Sequence, residues 1–283
     1  MAITNFIPTV WSEHLYRALD KKYVAVKNCN RDFEGEIKGK GSSVKICGVG
    51  DITIADYTKD TDLSAPEVLS DSATILTIDR AKCFNFQIDD IDRVQSTPKL
   101  MEEAMRKAAD GLANEADKYI CSLFYKESPN IKDASVNEET ILDYFINART
   151  ALAEQNVTDP SDIVFEVHPK IAAVLLKAKI TTGTDNAEAL DHGSIGTVLG
   201  SPVYVSNNIM KDSEKVYYCC ARTKRAIAFA EQLSEIDAYR PEKRFADAVK
   251  GLHLYGAKVI YPNELFTMAF GLAQPTETTT TEA

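Results

Sequence analysis

The sequence lacks the features by which several protein classes are recognised. It has 32 Lys and Arg against 42 Asp and Glu, so its formal net charge is −10. A protein dedicated to gripping duplex DNA needs a basic face that displaces counterions, and the excess of acid argues against one. No apolar run reaches the roughly 20 residues that span a bilayer. The N-terminus has no basic region followed by an apolar run, so we expect no signal peptide, no membrane partner and synthesis in a cytoplasm.

The cysteines show neither metal-binding nor redox spacing. No CxxC pair occurs among the six, which are Cys29, Cys47, Cys83, Cys121, Cys219 and Cys220. Cys219 and Cys220 are adjacent, so in a strand they point to opposite faces and are poorly placed to ligate one metal together. Five of the six lie in apolar or patterned segments, where a thiol behaves as a small hydrophobe. We predict reduced, structural thiols.

Motifs for catalysis and cofactor binding are also missing. The four histidines have no HxxxH or HExxH spacing, no GxSxG elbow occurs, and no cysteine stands in a nucleophile signature. The glycine-rich stretch FEGEIKGKGSSVKICGVGDITI, residues 33–54, fails as a P-loop because Gly41 stands where a Mg²⁺-binding hydroxyl belongs. It is more simply explained as turns that need positive φ. We therefore predict no catalytic residue, no cofactor and no metal.

Two weaker motif similarities have plainer explanations. GSIGTVLGSP, residues 193–202, is followed by a strand pattern where a dinucleotide loop needs a helix. DYTKDTDLSAPE has Asp60 and Asp62 at alternate positions, as calcium loops do, but Ala65 replaces the required glycine. Loop glycines and a polar turn account for both segments.

One group of acids stays open as a candidate catalytic site. Asp89, Asp90 and Asp92 lie between a predicted strand and a predicted helix. Paired carboxylates perform acid–base chemistry, although capping and turn acids are common at such junctions. These three residues would be the site of a soluble α+β enzyme.

Hydrophobic periodicity predicts a ribbon near the N-terminus. Leu15, Tyr16, Leu19 and Tyr23 have helical spacing within a mixed N-terminal arm. From about residue 34 to 87 the period becomes two, with the polar segment DYTKDTDLSAPEVLSDS between two alternating runs. This pattern predicts a long antiparallel β-ribbon with a polar tip. Because an isolated ribbon is only marginally stable, we expect it to pack against a neighbour.

The strongest periodic signal is a helix of about 28 residues, roughly 40 Å long. Its sequence is STPKLMEEAMRKAADGLANEADKYICSLFYKE, with Thr97 as the N-cap and Pro98 in the first turn. A single apolar stripe follows its length: Met101, Met105, Ala108, Leu112, Ala116, Tyr119, Ile120 and Leu123.

The remaining pattern is a mixture of helices and short strands. A second helix is predicted with Asn137 as its cap, followed by a buried strand through Phe165 and a third helix that ends near Gly183. A strand-to-helix corner is expected at His168. The segments PVYVS, KVYYCCA, RAIAFAEQ, HLYGAKVI and ELFTMAF are predicted as strands, and QPTETTTTEA as a disordered tail.

This order of elements resembles the major capsid proteins of tailed bacteriophages, which have the HK97-type fold. GSSVKI leading into DYT resembles the entry to the family's extended loop, and TILTIDRAKCFNFQIDD its return strand. MEEAMRKAADGLANEADKYI resembles the spine helix. IVFEVHPKIAAVLLKAK and GTVLGSPVYVSNNI resemble the axial domain, and LHLYGAKVIYPNELFTM the last strands of the peripheral domain. The resemblance extends from the arm to about Leu272.

The resemblance implies an α+β fold with six parts. They are an N-terminal arm (residues 1–32), an extended β-hairpin loop (33–88), a peripheral domain with the spine helix (89–160), a small α/β axial domain (161–245), returning peripheral-domain strands (246–272) and a disordered tail (273–283).

The implied function is that of a structural coat protein. The resemblance implies hexamers and pentamers of this chain, closing into an icosahedral virion shell that encloses double-stranded DNA without sequence-specific binding. A separate scaffolding protein, a portal and a decoration protein are the implied partners, and a bacterial host cytoplasm is the implied site of synthesis. Inter-subunit contacts are expected at the ribbon tip and the arm, at Thr61, Asp62, Leu63, Pro66, Glu67 and Trp11.

Two questions remain open within this interpretation. An encapsulin-like, non-viral shell protein would have the same fold and would differ by binding cargo on its inner face. Lys38 and Lys40 lie in the predicted hairpin, but nothing identifies a partner Asn or a catalytic acid, so we do not predict covalent cross-linking.

Overall fold

The chain forms two β-sheets, a separate β-ribbon and three α-helices in the part that the structure describes. The structure is a computed structural model that describes residues 15, 19, 22–34, 41–49, 54, 56, 59, 71–89, 100–128, 130–137, 139–178, 194–212, 216–243 and 245–272. The strands are β1 (Ser43–Val49), β2 (Asp71–Thr77), β3 (Arg80–Asp89), β4 (Asn130–Val136), β5 (Ile163–Val167), β6 (Ser194–Val198), β7 (Ser201–Val205), β8 (Val216–Thr223), β9 (Ile227–Tyr239), β10 (Ala246–Val259) and β11 (Leu265–Leu272). The helices are α1 (Leu100–Lys126), α2 (Ile141–Glu154) and α3 (Pro169–Lys177).

The predicted ribbon is present as β1 and β2. The two strands pair antiparallel, with Ser43 opposite Thr77 and Val49 opposite Asp71. At the base of the ribbon one face is buried against β9 and β10, in a cluster of Val44, Leu76, Ile78, Ala228, Ala230 and Leu254. This arrangement confirms the two-residue alternation at the base. The alternation does not predict Ile54, whose side chain is 95% exposed.

A three-stranded antiparallel sheet, called here the small sheet, has the order β3–β10–β9. β3 pairs with β10 from Arg80 opposite Tyr255 to Asp89 opposite Ala246. Residues 80–88, which the predicted boundaries assign to the extended loop, therefore belong to the small sheet. The alternation continues unbroken from β2 into β3, and period alone does not say which strand is the partner.

The long helix was predicted correctly in extent and in its buried face. α1 has 27 residues, and the stripe members Met105, Leu112, Ala116 and Ile120 are buried. The helix contacts β3 and β10 on one side and β8 and β11 on the other. It therefore joins the small sheet to the rest of the chain through one continuous apolar cluster. The predicted cap Thr97 lies outside the described residues.

A six-stranded mixed sheet, called here the large sheet, has the order β4–β11–β8–β5–β7–β6. Helices α2 and α3 pack on one face of it and α1 on the other. As predicted, Cys219 and Cys220 point to opposite faces, because they belong to two different apolar clusters. β4 and β11 share this sheet with β5–β8, so the sheet does not follow the predicted division at residues 160 and 245. These pairings join strands far apart in sequence, which local periodicity does not reveal.

Two helix ends differ from the predictions. α2 begins at Ile141, and Asn137 instead orders the preceding turn, where its side-chain oxygen accepts the backbone N–H groups of Glu139 and Thr140. α3 ends at Lys177, before the predicted end near Gly183. The strand-to-helix corner is as predicted, since His168 Nδ1 accepts the N–H of Lys170 and Pro169 opens the helix. No helix in the described ranges is long and apolar enough to cross a bilayer.

We predict that Gly256→Ala weakens the attachment of the ribbon. An added Cβ would lie 2.2 Å from the carbonyl oxygen of Thr77 and 3.0 Å from Cα of Ile78, both of which are backbone atoms at the ribbon base. The expected loss in the free energy of unfolding is about 1–3 kcal/mol, measured by urea denaturation.

The matched control is Gly111→Ala in the exposed middle of α1, where an added Cβ meets nothing within 4 Å. Its free energy of unfolding should rise by about 0.5–1 kcal/mol, because alanine loses less backbone entropy than glycine on forming a helix. Equal effects at the two positions would contradict the close approach of ribbon and sheet.

Candidate functional site

The expected inter-subunit residues cannot be placed by the structure. Thr61, Asp62, Leu63, Pro66, Glu67 and Trp11 lie outside the described residues, as do Lys38 and Lys40. In the ribbon, the structure describes the base, which consists of β1 and β2. Neither β1 nor β2 pairs with another strand in the described part of the chain, and Ile75 is 57% exposed on the face away from the body. The ribbon thus has open hydrogen-bonding edges and an apolar side chain in solvent.

Of the three acids proposed for an enzyme site, only Asp89 is among the described residues. It is exposed at the end of β3, and Asp90 and Asp92 lie outside the described residues. Of the predicted loops, GSIGTVLGSP forms the β6–β7 hairpin, whose turn has positive φ at Leu199 and Gly200. Within the described ranges no group of three or more His, Cys, Asp and Glu is placed to hold a metal ion.

The most elaborate polar arrangement surrounds residues 23–31, called here the strap. The strap runs between α1 and the two sheets. The carboxylate of Asp117, in the middle of α1, accepts the consecutive backbone N–H groups of Val24, Ala25 and Val26, each at 3.0 Å. One buried side chain therefore satisfies three consecutive backbone donors of the strap.

A buried ion pair on the large sheet holds the other side of the strap. Arg222 on β8 and Glu166 on β5 lie on the face toward α1, with Nη2 of Arg222 3.0 Å from Oε1 of Glu166. The guanidinium also donates to the carbonyl oxygens of Asn28 at 2.5 Å and Ala25 at 3.0 Å. The Asn28 amide donates to Glu166 at 3.0 Å. Every one of these groups is buried.

A second carboxylate attaches the strap to the small sheet. Glu231 on β9 accepts hydrogen bonds from the Tyr23 hydroxyl and from Nη2 of Arg31, the latter at 2.6 Å. Nε2 of His253 on β10 lies 2.8 Å from the same carboxylate. In addition, the backbone of Asn30 bonds to Ile227 and Phe229 at the start of β9. The strap is thereby tied to both sheets and to the long helix.

Burial shifts the pKa values of groups around the strap. It raises the pKa of Asp117 to about 6; the negative charge of Glu166 adds to this, and the three N–H donors oppose it. Burial alone lowers the pKa of Arg222, but the negative charge of Glu166 more than offsets this and holds the pKa above its usual value. Burial also raises the pKa of Cys29 to about 11. A thiol with this pKa stays protonated at neutral pH and is a poor nucleophile.

The sequence analysis missed the polar cluster around the strap, although a signal for it was present. Glu166 interrupts the apolar run IVFEV, Arg222 ends the run YYCCA, and Asp117 lies directly beside the apolar stripe of α1. A charged residue inside a core-forming run indicates a buried partner, because isolated buried charges are too costly to persist. The partner's identity was not readable, since it lies 56 residues away for Arg222 and about 90 for Asp117.

The sequence matches a known protein family, and the fold is similar to that of solved structures. A family model described as phage capsid protein matches residues 72–267. No curated protein sequence matches the chain. The fold is similar to that of a solved structure from Mycobacterium phage Che8, with 28% identity and a TM-score of 0.69, over 87% of this chain and 90% of that one.

More distant structures share the fold. The capsid structure of the cyanophage P-SCSP1u is 12% identical, with a TM-score of 0.65 over 83% of this chain and 85% of that one. A virus-like particle from Pyrococcus furiosus is 12% identical, with a TM-score of 0.56 over 90% of this chain and 96% of that one. At these identities the likeness concerns the fold alone.

We predict that Arg222→Ala is strongly destabilising, by about 3–5 kcal/mol, because it leaves Glu166 buried without its counter-charge. The matched control is Lys82→Ala. Lys82 pairs with Glu115 at 2.8 Å, but the two side chains are 44% and 39% exposed, so a loss of about 1 kcal/mol or less is expected. Chemical denaturation of both variants measures the difference, and similar losses would contradict the burial of the Arg222 pair.

We predict a pH dependence that originates at Asp117. Its pKa is higher in the folded chain than the ordinary value of 3.8 for an aspartate, so the folded state binds the proton more tightly. The free energy of unfolding therefore falls as pH rises from about 4 to about 6, by roughly 3 kcal/mol at most. Asp117→Asn should flatten this part of the profile in urea titrations between pH 4 and 7.

The control for this measurement is Glu103→Gln, an exposed acid on the same helix. It should keep the slope of the parent chain. An unchanged slope in Asp117→Asn would show that the buried carboxylate does not carry the pH dependence.

Proposed function

This chain belongs to the phage capsid protein family, and from this premise we propose that its copies close into an icosahedral shell of hexamers and pentamers around double-stranded phage DNA. The chain is a structural coat protein of the virion capsid. The observation that carries the proposal is the family match over residues 72–267. That range runs from β2 into β11 and so includes both sheets and the long helix.

The family and the fold support a structural role for this chain, and we propose that it is not an enzyme. The polar cluster around the strap supports this interpretation, because its charged groups bond to the chain itself. Asp117 and Arg222 bond to the backbone of the strap, and Glu166 and Glu231 bond to side chains. In the proposed mapping, α1 is the spine helix of the peripheral domain and the small sheet belongs to that domain. The large sheet with α2 and α3 corresponds to the axial domain.

We propose that the ribbon forms a principal contact between subunits. Its described base has open edges, and an open edge readily pairs with another chain. The tip residues Thr61, Asp62, Leu63, Pro66 and Glu67 would then contact a neighbouring copy, as would Trp11 of the arm. Many modest contacts of this kind become tight when a closed shell makes them simultaneously.

Among shell-forming proteins, the phage capsid is the better supported. The virus-like particle from Pyrococcus furiosus shares the fold at 12% identity, whereas the family match favours a phage protein. The net charge of −10 also suits a container for DNA. A basic inner wall would bind packaged DNA at its phosphates and hinder its movement. A scaffolding protein, a portal and a decoration protein are the further partners that we propose, with synthesis in the bacterial host cytoplasm.

We predict that deleting residues 61–70 leaves a folded subunit that assembles poorly. The ribbon base is held by its own cluster with β9 and β10, so the body should keep its cooperative unfolding transition. Negative-stain electron microscopy and light scattering, on the chain alone and co-expressed with a candidate scaffolding protein, measure assembly.

Deletion of residues 274–283, a polar segment of the same length, is the control and should assemble as the parent chain does. Normal shells from the 61–70 deletion would refute the role of the ribbon tip. A parent chain that stays monomeric or dimeric in every co-expression would refute the shell itself.

A further inference from the structure

Arg222 occupies the junction of the main parts of the subunit. It belongs to β8 of the large sheet and its side chain has no exposed surface. Its guanidinium contacts Glu166 on β5 and two carbonyl oxygens of the strap, and it lies 5.7 Å from the centre of the Phe124 ring on α1. One planar group therefore touches the large sheet, the strap and the long helix.

The strap continues from this junction to the small sheet within a few residues. Ala25 and Asn28 accept from Arg222, and Asn30 then joins the backbone at the start of β9. Tyr23 and Arg31, at the two ends of the strap, both donate to Glu231 of the same sheet. The strap is a short link with Arg222 at one side and Glu231 at the other.

The contacts of Arg222 are directional, whereas the apolar contacts between the sheets are not. Its Nε and Nη2 bond to the two oxygens of Glu166 at 3.2 and 3.0 Å, and its Nη1 and Nη2 bond to the strap at 2.5 and 3.0 Å. A guanidinium is planar and its donors have fixed directions, so four such bonds fix the strap in angle as well as in position. Apolar side chains alone permit small rotations at little cost, because the hydrophobic effect is not directional.

We infer that Arg222 is a positioning residue, which sets the orientation of the small sheet relative to the large sheet and through it the curvature of the shell. The second part of this inference rests on the proposed function. Buried ion pairs add little net stability compared with apolar groups of similar size, and in some proteins they specify one geometry instead. A change of a few degrees within each subunit is repeated at every contact around a closed shell, and so alters its diameter.

The orientation is measured on unassembled subunits of the full chain. Spin labels are placed at the exposed native Cys83 on β3 and at an introduced Thr197→Cys on β6, with Cys47 replaced by serine. These positions are on outer strands of the small and large sheets, respectively. Pulsed electron paramagnetic resonance then reports the distribution of distances between the two sheets.

The test variant combines Arg222→Met with Glu166→Gln, which removes both charges and keeps most of the side-chain volume. The matched control combines Arg225→Met with Glu264→Gln. These two residues also form an ion pair, and their hydrogen bonds to each other do not involve the strap. We expect the test variant to lose the single narrow distance of the parent and the control to retain it. A narrow, unshifted distance in a folded test variant would overturn the positioning role.

A milder pair keeps the inference testable where the double variant does not fold. Arg222→Lys keeps a positive charge beside Glu166 but lacks the fixed, planar set of donors, and Arg225→Lys, at a largely exposed side chain, is its control. Arg222→Lys should widen the distance distribution while the subunit still unfolds cooperatively, and Arg225→Lys should not. A parental distribution in Arg222→Lys would again overturn the inference.

Electron microscopy of co-expressed shells separates the two parts of the inference. A widened distance together with shells of several diameters supports both parts. A widened distance with shells of the single parental diameter overturns the link to curvature. If the parent chain itself forms no shells, the proposed function fails, and the label distances still decide whether Arg222 orients the sheets.

Discussion

The architecture depends on one buried electrostatic arrangement, in which the charges of Arg222, Glu166 and Asp117 hold the strap. The strap passes between a helix and two sheets, and five of its backbone groups bond to the side chains of Asp117 and Arg222. Carboxylates supply acceptors for its N–H groups and the guanidinium supplies donors for its carbonyls. The strap thus serves as a polar layer within an otherwise apolar core.

The two sheets differ in the elements that pack on their faces. Helices pack on both faces of the large sheet, and every residue of β5 is buried. The small sheet has α1 on one face and the ribbon base on the other. Both faces of the large sheet are therefore covered within one chain. The ribbon packs on the small sheet at its base, and in the proposed function its edges pair with a neighbouring copy.

Local features of the fold were predictable from sequence, and non-local ones were not. The length and buried stripe of α1, the buried strand through Phe165 and the corner at His168 follow from period and capping chemistry. The pairing of β3 with β10 does not follow from the sequence pattern. The alternation of β3 continues that of β2, so the pattern does not distinguish a strand of the ribbon from a strand of the small sheet. The buried cluster at Arg222 was missed for a related reason. A charge in an apolar run signals a partner without saying where in the sequence it lies.

The position of β11 determines when a newly made chain can complete its large sheet. β11 lies between β4 and β8, parallel to the first and antiparallel to the second. It is also the last described strand of the chain. Until residues 265–272 leave the ribosome, β4 has no neighbour in the sheet and β8 lacks one of its two. The large sheet can therefore close only after every other described strand has been made, and its pairings with β11 join segments that are far apart in sequence.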